Sequence, residues 1–88
     1  MTAHHVRFTA RAEGDLDKMP EKIAAACVEF IFGPLAENPY RLGKPLVGEF
    51  VGTYSARRGS YRVLYEIDDD DIVIEILHID HRAHVYRR

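Results

Sequence analysis

The sequence predicts an α+β domain: an N-terminal strand, then an antiparallel helical hairpin packed on a mainly antiparallel sheet of three to four strands. Three observations predict it. Apolar residues recur at helical spacing between Ala12 and Ile31. From Thr53 onward they alternate or run together, with turn residues at two places. The resulting order, one strand, two helices and a three-strand meander, leaves the helices one sheet face to cover.

His5-Val6-Arg7-Phe8 alternates and reads as a short strand. Thr9 is placed to cap a helix in which Ala12, Leu16 and Met19 form one apolar stripe. Gly14 weakens this helix, and Pro20 ends it or opens the next one. Glu21 to about Ile31 is the strongest helix signal. Ile23, Cys27, Phe30 and Ile31 share a face, and three consecutive alanines favour the conformation. Gly33-Pro34 stops or interrupts it. Asn38-Pro39-Tyr40 and Gly43-Lys44-Pro45 make residues 38–48 a loop. Thr53 to Arg57 and Tyr61 to Ile67 flank Arg58-Gly59-Ser60, a hairpin signal. Asp68 to Asp71 form a second turn. Ile72 to Ile79 is a nearly continuous apolar run, expected to be buried on both faces.

Eighty-eight residues suffice for one small domain, residues 1–88, with a thin core. The single cysteine, Cys27, excludes an intrachain disulfide and fits a reducing cytoplasm. It lies on the apolar stripe and reads as a buried, inert thiol. The N-terminus lacks the apolar run of a signal peptide, and the apolar stretches are too short to span a bilayer. The expected location is cytoplasmic, with no membrane partner.

A net charge of −2 hides a bipolar distribution. Residues 51–65 carry Arg57, Arg58 and Arg62 and no acid. Residues 66–80 carry seven acids and no lysine or arginine, and residues 81–88 are again basic. One pole of such a surface can bind an anion whatever the total. His78, His81 and His84 are spaced by three, so on a strand they alternate faces and do not converge on a metal. No CxxC or HExxH spacing is present, so no metal and no cofactor are expected.

Four segments resemble the RelE/ParE superfamily of type II toxin–antitoxin toxins. They are Leu42-Gly43-Lys44-Pro45-Leu46, Gly52-Thr53-Tyr54-Ser55-Ala56-Arg57, Gly59-Ser60-Tyr61-Arg62-Val63-Leu64-Tyr65-Glu66-Ile67, and His81-Arg82 with Val85-Tyr86-Arg87. Ala12, Leu16 and Pro20 agree more loosely. The resemblance implies a RelE-like fold and, in the RelE branch, ribosome-dependent cleavage of messenger RNA. The ParE branch instead poisons DNA gyrase. A third reading is a member that binds only its antitoxin.

RNA cleavage needs the ribose 2′-OH to attack the adjacent phosphate, which gathers negative charge. Fixed cations can stabilise that charge, and the planar arginine fork matches phosphate oxygens. The resemblance assigns Arg62 and Arg82 to the scissile phosphate, Tyr86 to base stacking or proton exchange, and Arg57 to easing the developing charge. An ordinary alternative for Arg62 is a surface pair with Glu66, two positions along the same face. Lys44, Arg58, His81, Arg87 and Arg88 are expected to hold RNA backbone. Ser55 departs from the family pattern, in which some members carry a lysine or arginine. A serine cannot replace a cation, so His81 and His84 are the candidate bases. The expected partners are a RelB-like antitoxin, the ribosome and its messenger RNA. Operator DNA is expected to be bound indirectly, through the antitoxin.

Overall fold

A computed structural model describes residues 3–81, and Arg82, His84, Tyr86, Arg87 and Arg88 lie outside the described residues. Strand β1 (His5–Phe8) leads into helix α1 (Ala10–Asp17). Thr9 caps α1 by accepting the Ala12 amide at 3.1 Å, and its hydroxyl donates to the Leu77 carbonyl at 2.9 Å. One threonine therefore both starts the helix and ties it to the last strand. Pro20 stands at the N-cap of α2 (Glu21–Phe30). Gly33-Pro34 interrupts rather than stops this helix: Ile31–Leu35 continues as a π-helical turn. Proline lacks the amide an α-helix would need, and the wider turn accommodates the loss.

Residues 38–48, expected as a loop, hold more structure. A four-residue helix, α3 (Pro39–Leu42), precedes a two-residue strand, β2 (Lys44–Pro45), and Gly48–Phe50 is a 3₁₀ turn. The strands β3 (Tyr54–Arg58), β4 (Tyr61–Asp68) and β5 (Val73–His81) form the expected meander. Gly59 takes φ +58° in the first hairpin turn, a value glycine adopts freely. In the second turn the Asp68 side chain accepts the amides of Asp70 and Asp71.

The sheet has five strands in the order β1-β5-β4-β3-β2. It is mostly antiparallel, but β1 pairs with β5 in parallel, Val6 opposite Ile74 and Phe8 opposite Ile76. Strand β5 thus has a neighbour on each side, which explains its apolar run. The expectation of two buried faces needs correction. Ile74, Ile76 and Ile79 are fully buried, whereas Val73 and Leu77 are half-buried and Ile72 precedes the strand. The register shifts where Leu64 pairs His78 and Tyr65 pairs Ile76, so Leu77 is an extra residue. This bulge lets Ile76 and Ile79, three apart, face the same core.

Tyr65, Ile31, Leu35, Ile74, Ile76 and Val63 fill the space between the sheet and α2 with its π turn. The buried Tyr65 hydroxyl donates to the Pro39 carbonyl at 2.6 Å, fixing α3 over the sheet. Gly43 follows. A Cβ there would overlap the Tyr65 hydroxyl and lie 3.2 Å from the Ser55 carbonyl oxygen. Gly43→Ala is therefore expected to destabilise the chain by ~1–3 kcal/mol, the range for overpacking a core. The check is a thermal melt, and an unchanged midpoint would count against this packing.

Candidate functional site

Residues directly opposed in an antiparallel pair share a face, so the register sorts the basic residues. Val63 and Tyr65 of β4 point to the helices. Arg62 and Leu64 point away from them. Arg57 opposes Arg62 across β3–β4, and Lys44 opposes Ser55 across β2–β3. Lys44, Arg57 and Arg62 consequently lie on one face of neighbouring strands, the face opposite the core. Arg57 is exposed and Arg62 half-buried. Among the described residues neither guanidinium makes an ion pair or side-chain hydrogen bond. The ordinary pair of Arg62 with Glu66 does not form.

Two like charges directly opposed across a ladder oppose folding. Here neither forms an ion pair among the described residues, although Asp80 stands opposite Arg62 across β4–β5. Such an arrangement can take an anion with several acceptor oxygens. Ser55 leaves a gap in the basic row, and Lys44 stands across from that gap in register.

A cluster the sequence did not reveal borders this row. His78 Nδ1 lies 2.7 Å from the Asp15 carboxylate, and its Nε2 contacts Asp80. The same Asp15 oxygen accepts the Ile79 amide at 2.9 Å, just beyond the bulge. Asp15 sits on α1, far from β5 in sequence, and no spacing rule connects them.

Arg58 and His81 go to the other face. Arg58 opposes the buried Tyr61, and its guanidinium lies 5.3 Å from the Phe30 ring centre, a cation–π contact. His81 also opposes Tyr61, and its Nε2 lies 3.2 Å from the Ser60 hydroxyl. Arg58, Ser60 and Tyr61 line a cavity of about 480 Å³ together with Ile23, Phe30 and Pro34. The structure thus separates the expected RNA-contacting residues into two groups, with Lys44, Arg57 and Arg62 together and Arg58 and His81 apart. His78 and His81 fall on opposite faces, as their spacing implies. Burial pushes the Cys27 thiol up to about 12, so it is not a thiolate at neutral pH. No helix among the described residues is long and apolar enough to cross a membrane.

Residues 6–86 match the family described as the ParE toxin of the type II toxin–antitoxin system parDE. The chain is 60% identical to Toxin RelE of Mycobacterium tuberculosis over 84 residues, covering 96% of this chain and 87% of that protein. It is 58% identical to Toxin RelG of the same organism, over 94% of this chain and 95% of the relative. Among solved structures, the RelBE2 toxin–antitoxin complex of M. tuberculosis contains a chain of the same fold. That chain has a TM-score of 0.92 and 55% identity, with coverage of 94% and 95%.

Proposed function

The chain belongs to the RelE/ParE family of type II toxin–antitoxin toxins, and on that premise we propose that it is a metal-independent endoribonuclease that cuts messenger RNA on the ribosome. The observation that carries this reading is the opposed pair Arg57 and Arg62 on the open face of the sheet, neither in an ion pair among the described residues. A gyrase poison without chemistry of its own has no need of two arginines directly opposed on neighbouring strands.

In this mechanism the substrate 2′-OH gives up its proton to a base, for which His84 is the candidate, and attacks the adjacent phosphorus, while the 5′-oxygen leaves and takes up a proton, a transfer open to Tyr86. Arg62 takes the non-bridging oxygens through its planar fork, and Arg57 lowers the cost of the growing charge. The strands hold both arginines in place before the reaction, which is what electrostatic stabilisation requires. Lys44 supplies a point charge beside Ser55, where other members carry a cation. From the family motif, Arg82 is assigned to the same phosphate and Tyr86 to base stacking or proton exchange. Arg87 and Arg88 contribute looser attraction to the RNA backbone. A RelB-like antitoxin neutralises the toxin in the cytoplasm by covering this basic face. It also carries the complex to operator DNA.

The test uses purified protein on programmed ribosomes. Cleavage of the message is expected, and it should survive a zinc-selective chelator with ribosome integrity verified. Activity lost to the chelator and restored by zinc would overturn the arginine-based mechanism. Intact message, with arrest of purified gyrase on DNA, would replace it with the ParE-like reading. If neither target is affected while the antitoxin still binds, only the antitoxin-binding reading survives.

A further inference from the structure

We infer that His78 is a positioning residue that holds the Asp80 carboxylate away from Arg62 and so keeps this guanidinium open to a phosphate oxygen. The inference rests on the assignment of Arg62 to a phosphate. Asp80 is the residue directly opposite Arg62 across β4–β5, on the same face. An opposed aspartate and arginine ordinarily pair. Here they do not: among the described residues Asp80 contacts His78 Nε2, and Arg62 has no ion-pair partner.

Three features hold His78 in this role. It shares the face with Asp80, two positions along β5. Its other nitrogen is anchored by Asp15 at 2.7 Å, and Asp15 is itself fixed by the Ile79 amide at the bulge. Arg11, on the same helix as Asp15, lies 3.3 Å from Nε2 and adds a second contact from α1 to the imidazole. The bulge and α1 thus form a clasp that satisfies Asp80 locally. Without the clasp, Asp80 is free to turn to the arginine directly opposite it on that face, the one assigned to the substrate.

The readout is the Arg62 Nε–H resonance during titration with inorganic phosphate, assigned by its loss in Arg62→Ala. His78→Ala is expected to weaken phosphate affinity at Arg62 about fivefold, the upper end for an opposed charge pair. Adding Asp80→Asn to that variant should restore the affinity, because an amide no longer neutralises the arginine. Wild-type affinity in folded His78→Ala, or a double variant as weak as the single one, would overturn the inference. Asp80→Asn alone carries the test even if His78→Ala does not fold. It should change the affinity by less than about twofold, since Asp80 is already held elsewhere. A tightening of about fivefold would mean that Asp80 occupies Arg62 in the wild type, and the inference would fail. Cleavage of a programmed message by the wild type, measured in parallel, separates the two claims. Without cleavage, the proposed function falls while the phosphate titration still decides the role of His78.

Discussion

Arg62→Ala is expected to slow single-turnover cleavage on programmed ribosomes roughly 100-fold or more. That is ~2.7–4 kcal/mol of barrier, the range for removing one preorganised charge-stabilising donor. The size follows from placement. Arg62 is half-buried on the long central strand β4, and no partner among the described residues competes for it. Its charge therefore needs little reorganisation as the phosphate becomes more negative. Arg62→Lys should recover only part of the rate, because a point charge lacks the two-pronged fork. Both variants should still fold, since removing one of two opposed like charges does not weaken the ladder. Measured at saturating folded protein, a wild-type rate for Arg62→Ala would remove this residue from the chemistry.

Tyr65→Ala is expected to cost ~3–5 kcal/mol of stability, as large-to-small aromatic changes in cores do. Tyr65 is among the largest fully buried side chains, stacks on Tyr54 with ring centres 5.7 Å apart, and reaches the Pro39 carbonyl. Its burial raises the phenol well above the usual tyrosine range, so the hydroxyl remains a donor at working pH. Tyr65→Phe keeps the ring and removes the donor, leaving a buried carbonyl unpaired at a cost of ~1–3 kcal/mol. Denaturant melts of the two variants should fall in that order. Equal midpoints for Phe and wild type would show that the hydroxyl contributes nothing net. The link to function runs through Gly43, which packs on the same hydroxyl and sets the start of β2. Loss of the hydrogen bond should therefore also loosen Lys44.

The meander was legible because its signals are local. Arg58-Gly59-Ser60 and the aspartate run mark turns, and alternation marks β4. Thr9 as a cap was legible for the same reason. The parallel pairing of β1 with β5 was not, because it joins residues nearly seventy positions apart and leaves no periodic trace. The short β2 was hidden by the glycine and prolines that made residues 38–48 read as loop. For the site, residue types and motif order pointed to Lys44, Arg57 and Arg62, which the sheet does bring to one face. Motif order could not separate Arg58 and His81 from them, since the side each takes depends on strand register. The clasp of Asp15, His78 and Asp80 depends on a bulge and on how α1 meets β5. Both are tertiary facts.

The central claim is most directly tested by mapping messenger RNA 5′ ends in cells during controlled expression of the chain, with Arg62→Ala as the matched control. The account predicts new ends inside translated codons, absent or strongly reduced in the Arg62→Ala cells. Intact messages together with DNA-damage signalling would contradict it.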